Sequence, residues 1–364
     1  MFNSFLNDAL KVINERNSSN EAVCDALLPL KSIQSPNSFE PVVVPVTKSS
    51  ISCKVAGVDS GFATKKLSFI ELVLVKTCGA IFDYKDGKLI KSNYYPPPFS
   101  FPKPIILKAG LESDEQLQSV SLIRLKEEVN CSIEIIEKFR PDFLFIDGSI
   151  IPQYQDKPKA GSELNEDYNS IIHLFQKLYK TAQENNCVLI ACVEDSRGTR
   201  FRQILSEEIL PKSPIGSKTP TTLISSSFDT SLLDYYLLPR ERTFVFPYTK
   251  NPTSHAILKD YEKDWQESVF VFYIKSTDFD NPLRVEFLCK NHLDKKELKK
   301  LSDNIASIVF TLSSLHKEYS FPSILIEADL RAGLSEREIN LVYERLLDKM
   351  NPKMSLRRNN RPFW

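Results

Sequence analysis

Glycine is scarce: the chain has ten in 364 residues, and no two are adjacent. This argues against the glycine-rich phosphate and adenosine loops that a sugar-kinase or actin-like ATPase needs. Excess charge is missing too, because lysine plus arginine and aspartate plus glutamate number 47 each. No global basic field points to nucleic acid and no acidic field to a basic partner, so a polyanion site has to be a local patch. The seven cysteines contain no CxxC pair and no zinc-type spacing. Cys53, Cys78, Cys187 and Cys192 lie in or beside apolar runs and read as reduced core residues. The four histidines form no HxH or HExxH pattern. His173 reads as a core or boundary residue of a helix, and His292 as a helix-start residue. No run approaches membrane-spanning length, and the N-terminus has no cationic start followed by an apolar stretch. The expectation is a soluble, cytoplasmic protein without a membrane partner.

What is present is strong local periodicity. Residues 5–14 carry helical apolar spacing, and Ser/Asn/Pro-rich segments follow to about residue 50, a helical preface to the main fold. "CKVAGVDSGFA", "FIELVLVKTCGAIF" and, after the turn signal "YKDG", "KLIKSNYY" predict three strands in an antiparallel meander. "YPPPFSFPKP" (95–104) breaks regular structure. A helix is predicted from about Asp114 to Phe139, with Leu122, Leu125, Val129, Ile133 and Ile136 on one face, stopped by Arg140 and Pro141. "DFLFID" is too apolar on both faces for anything but a central strand. A second helix over 165–186 and the buried strand "CVLIACVE" complete a β-β-β-α-β-α-β order. Loops over 211–227, strands near "RTFVFPY", "SVFVFYIK" and "PLRVEFL", and helices over roughly 294–350 follow. No internal repeat is present.

Right-handed crossovers after a three-strand meander give the ribonuclease H-like arrangement: an α/β fold with a mixed sheet core flanked by helices, an N-terminal helical preface and C-terminal helices. In that topology the first and fourth strands are neighbours. Asp59 in "GVDSG" and Asp147 in "FIDGS" end those strands, each followed by small residues that let a ligand or backbone approach. Either aspartate alone also suits an Asp-Ser or Asp-Gly turn. Together they are adjacent carboxylates that repel unless a divalent cation holds them. The preceding helix offers Glu127 and Glu128. At 100° per residue Glu127 points about 160° from the apolar face and Glu128 about 100°, so Glu128 is the better third acid, with two solvated helix charges as the alternative. Such a cluster suits two divalent ions about 3.5–4 Å apart, and oxygen-only ligands favour magnesium or manganese over zinc. The implied chemistry is phosphodiester hydrolysis.

"GVDSG", "FIDGS", "FDTSLLDYYLLPRERTFVF", the strand pair "VFYIK" and "LRVEFL", and "FPSILIEADLRAGLSERE" together resemble the NurA nuclease domain, in that order. The resemblance covers about residues 51–350, leaving an N-terminal segment (1–50) and a basic-aromatic tail (351–364). It implies a ribonuclease H-like core, a toroidal homodimer, and a manganese-dependent DNA nuclease acting with a HerA-type hexameric ATPase in DNA end resection and double-strand break repair. Asp59, Glu128 and Asp147 match the family's metal-binding acids. Where the family has Tyr-Pro and then a histidine, this chain has Phe321-Pro322 and Asp329. A carboxylate can ligate the same hard cation, so Asp329 is the candidate fourth ligand. Phe321 supplies no hydroxyl, although Tyr319 is two residues away.

The family often places a lysine near the position of Glu194. Arg197, Arg200 and Arg202 follow it and are candidate phosphate contacts, or a solvated basic loop. Arg240 and Arg242 are expected either to line a DNA channel or to pair with Glu241 and neighbouring acids. Arg284 and Glu286 alternate with apolar residues and predict a buried or cross-strand pair. In the tail, Phe363 and Trp364 offer a docking point for a partner ATPase. The main rival to a nuclease is a catalytically degenerate subunit that serves as a DNA channel or docking partner for such an ATPase.

Overall fold

The structure, a computed structural model, describes residues 2–35, 40–67, 70–97, 100–107, 110–213, 224, 227–289 and 294–349. His292 and the 351–364 tail lie outside them. The chain divides into two compact units: Met1–Ile51 with Ile190–Thr253 and Lys263–Ser323, and Ser52–Leu189 with Ser254–Glu262 and Ile324–Trp364.

In the second unit β2 (Lys54–Lys66) and β3 (Glu71–Lys85) pair antiparallel over their whole length, from Lys54 opposite Asp83 to Lys66 opposite Glu71. β4 (Lys88–Tyr95) returns along the second half of β3. The predicted meander is therefore present. The stretch expected to break regular structure also contributes a strand, β5 (Lys103–Ile106), paired with Leu72–Val75 of β3. β4 reaches only as far as Gly79 along β3, so those residues have an open edge that β5 covers.

Helix α2 (Ser113–Phe139) buries Leu122, Val129, Ile133 and Ile136, and stops at Arg140, which adopts a left-handed backbone at φ 48°. β6 (Phe143–Asp147) then lies parallel to β2, and α3 (Asn165–Glu184) leads to β7 (Val188–Val193). α3 buries Tyr168, Ile171, Ile172, Phe175, Leu178 and Tyr179. His173 is exposed, contrary to the core or boundary placement expected, because its position falls outside that stripe.

Two C-terminal helices belong to the same unit, α8 (Ser323–Ala332, from Ile324 on) and α9 (Glu336–Lys349). α9 packs Ile339 against Leu72 and Leu74. α8 lies flat on β2 because β2 carries no side chain at two points of contact. A Cβ on Gly57 would stand 2.9 Å from the Ile324 carbonyl oxygen, and one on Gly61 would overlap the Ala332 carbonyl oxygen. Gly61→Ala is therefore expected to push α8 off the strand, costing about 1–3 kcal/mol in a denaturant melt. An unchanged midpoint would contradict this packing.

In the first unit α1 (Phe2–Leu27) runs well past the predicted 5–14. Its later residues Val23, Cys24 and Leu27 enter a core, whereas Phe5, Leu6, Leu10, Val12 and Ile13 are exposed. Five strands run antiparallel in the order β1 (Val43–Pro45), β8 (Glu241–Thr243), β10 (Val269–Lys275), β11 (Leu283–Leu288) and β7, with β9 (Phe246–Pro247) on β10. Their core gathers Phe201 from α4 (Arg200–Ile204), Leu232, Leu233 and Tyr236 from α5 (Asp229–Tyr236), and Phe244, Phe246 and Tyr273. The short α6 (Lys263–Gln266) precedes β10, and α7 (Lys295–Ser313) follows β11. Among the described residues no helix is long and apolar enough to cross a membrane.

Candidate metal centre

The parallel pairing of β2 with β6 runs from Val55 opposite Phe143 to Val58 opposite Ile146. The next residue on each strand is an acid, Asp59 and Asp147. Neighbouring strands lie about 4.8 Å apart, so the register alone sets these two carboxylates side by side. Asp59 is buried, and Asp147 is exposed at the strand end. Behind Asp147, Gly148 takes φ 88°, and nothing would lie within 4 Å of a Cβ there, so the approach is open.

α2 brings Glu128 to the same place and keeps it only 7% exposed. The Ser60 hydroxyl donates to Glu128 Oε1 at 2.6 Å, and the Ser60 N–H donates to Asp59 Oδ1 at 2.7 Å. Ser60 thus ties the two buried acids together. Glu127 points elsewhere and pairs with Lys103 at 2.7 Å. Asp329 is exposed on α8, and its charge acts on Asp59 less than those of Asp147 and Glu128 do.

Burial, then the charges of Asp147 and Glu128, push the Asp59 carboxyl up to about 7. Burial also pushes Glu128 up to about 7, against the pull of Arg124 and the Ser60 hydrogen bond. A carboxyl held above its unfolded value stabilises the fold while protonated, fully below about pH 4, and that stability is lost as pH rises through about 7. In EDTA the melting temperature is accordingly expected to fall by several degrees between pH 5 and pH 8, and Asp59→Asn is expected to flatten the profile. A flat wild-type profile would sink this electrostatic picture.

The donor set suits a hard divalent cation. It is all oxygen, two of its acids are buried and both hydrogen-bond to Ser60, and Arg124 lies 3.6 Å from Glu128. Among the described residues no three acids stand close enough together to enclose an ion as their side chains lie. Asp59, Glu128 and Asp147 nonetheless fit such a cation in type and placement, with Asp329 at the margin.

Beside Glu128 and Asp147 a cavity of about 90 Å³ is lined by Ser121, Arg124, Gln153 and Asp156, among others. Asp156 was not picked out by sequence reasoning. It is buried in a short turn, where it accepts from the Ser121 hydroxyl at 2.6 Å and the Gln153 N–H at 2.7 Å. The one sequence signal is an acid amid "PQYQD", which reads as a loop.

The arginine candidates all lie in the other unit. Arg197 and Arg240 are exposed. Arg200 and Arg202 are half-buried; Glu208 lies 3.9 Å from Arg200, and Arg202 donates to the Ile224 carbonyl at 3.3 Å. Arg242 is fully enclosed between Glu40 and Asp303, so of its two expected roles the structure gives ion pairing rather than a channel lining. Its strand faces the core there, and the acids that pair with it are distant in sequence rather than Glu241.

Arg284 and Glu286 form the expected buried pair, at 2.6 Å along one strand. Phe321 is buried and stacked on Tyr319, with ring centroids 5.8 Å apart. All seven cysteines are free thiols, six buried and Cys53 half-buried. Burial pushes the Cys53 and Cys78 thiols up to about 11, which keeps them unreactive near neutral pH.

No family model matches the sequence, and no curated protein does either. Among solved structures, the NurA nuclease from Sulfolobus solfataricus matches 97% of this chain and 99% of its own, with a TM-score of 0.56 and 18% identity. A crystal structure of NurA with manganese matches 96% of this chain and all of its own, with a TM-score of 0.49 and 10% identity. The first of these shows that the chain has a NurA-like fold, a mixed α/β architecture with a ribonuclease H-like sheet flanked by helices.

Proposed function

We propose that this protein is a divalent-metal-dependent nuclease that hydrolyses the phosphodiester bonds of DNA. The observation that carries the reading is the juxtaposition of Asp59 and Asp147 by the β2–β6 register, with Glu128 tied to Asp59 through Ser60, within a NurA-like fold. Asp59, Glu128 and Asp147 would hold Mn²⁺ or Mg²⁺, with two ions and Asp329 as the fourth ligand. When bound, such ions supply an activated water and stabilise the leaving oxygen during in-line attack on phosphorus.

The chain's own residues prepare this chemistry. Ser60 fixes the orientation of Glu128 through its hydroxyl and donates a backbone N–H to Asp59, so one residue restrains both carboxylates. Burial keeps water from screening them. The glycine after Asp147 leaves the strand end open to a polymer. The finer reading adds a homodimer in the cytoplasm that works with a HerA-type hexameric ATPase on DNA ends, with Arg197, Arg200, Arg202 and Arg240 as contacts to DNA phosphates.

Linear DNA labelled at its 5′ or 3′ end, incubated with Mn²⁺, Mg²⁺ or EDTA, tests the reading. Cleavage with either metal and none in EDTA is expected, and the two labels report polarity. A second reading, a non-cleaving subunit that channels DNA for an ATPase, is favoured by Phe321, which carries no hydroxyl where the resembled family has a tyrosine. DNA binding without cleavage in any metal, even with a HerA-type partner added, would identify it.

A further inference from the structure

Arg124 stands one helical turn before Glu128 on α2. Its Nε lies 3.6 Å from Glu128 Oε1, beyond a good hydrogen bond, and its side chain keeps 39% of its exposure. Arg124 is the exposed partner of a buried carboxylate, and at this distance no hydrogen bond to Glu128 holds its guanidinium in place. The cavity it shares with Glu128, Asp147, Gln153 and Asp156 has about 90 Å³. That is roughly the room of three waters, enough for a small polar group and too little for a base.

Among the residues lining that cavity Arg124 is the one cation; Glu128, Asp147 and Asp156 are acids. Within that cavity a phosphodiester brought to Glu128 and Asp147 meets acids and this one cation. A guanidinium offers planar paired donors that match two phosphate oxygens, which a point charge does not.

We propose that Arg124 is a phosphate-binding residue of this site, gripping the non-bridging oxygens of the DNA phosphodiester that lies against the carboxylates. The proposal rests on the nuclease reading for the nature of the substrate. In the free protein Arg124 faces Glu128. With DNA present it turns to the phosphate, so its contribution is visible in binding even without metal.

The test measures fluorescence anisotropy of labelled linear DNA in EDTA at rising KCl, and single-turnover hydrolysis in Mn²⁺, for wild type, Arg124→Gln and Arg124→Lys. Arg124→Gln is expected to bind about tenfold more weakly at low salt, and its log–log salt slope is expected to fall by about 1. Arg124→Lys is expected to keep the slope, because the charge is kept, yet to hydrolyse about tenfold more slowly, because the paired donors are lost. Melting curves of both variants serve as the control for folding.

If wild type cleaves and Arg124→Gln matches it in slope and rate, Arg124 is only a helix ion pair and this proposal alone fails. If wild type binds DNA with an Arg124-dependent slope but never cleaves, the nuclease reading fails and the phosphate contact stands. If wild type does not bind DNA, both fail.

Discussion

Asp147→Asn is expected to lower Mn²⁺-dependent DNA hydrolysis by about 10³-fold or more in single-turnover assays, because it removes an anionic ligand while preserving shape. The same substitution is expected to raise the melting temperature in EDTA at pH 8. Asp147 is the largest charge holding the Asp59 carboxyl up, so removing it lets Asp59 ionise at less cost. Lost activity together with gained metal-free stability separates a metal ligand from a residue needed for folding. Glu127→Gln serves as the contrast: Glu127 is paired with Lys103 and turned away from the buried acids, so its loss should leave hydrolysis within a few-fold of wild type. Equal losses from both substitutions would contradict the assignment of Glu128 over Glu127.

Arg242→Ala is expected to cost about 3–5 kcal/mol in a denaturant melt, the effect of stranding a buried charge. Arg242 Nη2 donates to Glu40 Oε1 and to Asp303 Oδ1, each at 2.5 Å, and Nη1 donates to the Thr243 carbonyl at 2.9 Å. Glu40 is 2% exposed, and apart from Arg242 its carboxylate accepts the Val245 N–H at 3.0 Å. Without the arginine that buried carboxylate loses its guanidinium hydrogen bonds and its counter-charge. Glu40→Gln combined with Arg242→Met should cost much less than Arg242→Ala alone, because both charges leave together. Asp303→Asn should cost less still, since Asp303 is partly exposed. A loss below about 1 kcal/mol for Arg242→Ala would show that the pair carries no such weight.

The central acids were legible because each reports through a rule of geometry. An aspartate ending an apolar run marks a strand end, and the crossover order makes those strand ends neighbours. The helical angle singled out Glu128. What stayed hidden depends on contacts that sequence spacing does not encode. The Ser60 hydroxyl reads as a small residue allowing close approach, and only the packing of α2 on β2 turns it into a bridge between two acids. Asp156 lies in a turn without periodicity.

The reach of α1 was hidden for a different reason. Its exposed half carries the conspicuous apolar spacing, while the half that packs is interrupted by polar residues. In "LLPRERTF" the alternation of charges offered two roles for Arg242, and the acid that decides between them is Glu40, 202 residues away. Long-range partners of this kind appear only once the strands are paired.

The most direct test of the metal site is an Mn²⁺ titration followed by the electron paramagnetic resonance signal of the free ion, at pH 8 and without DNA, comparing wild type with Asp59→Asn. Wild type is expected to deplete the free-ion signal with saturation, and Asp59→Asn to bind at least about tenfold more weakly. Equal depletion by both proteins, or none by wild type, would contradict a divalent-metal site built on Asp59, Glu128 and Asp147.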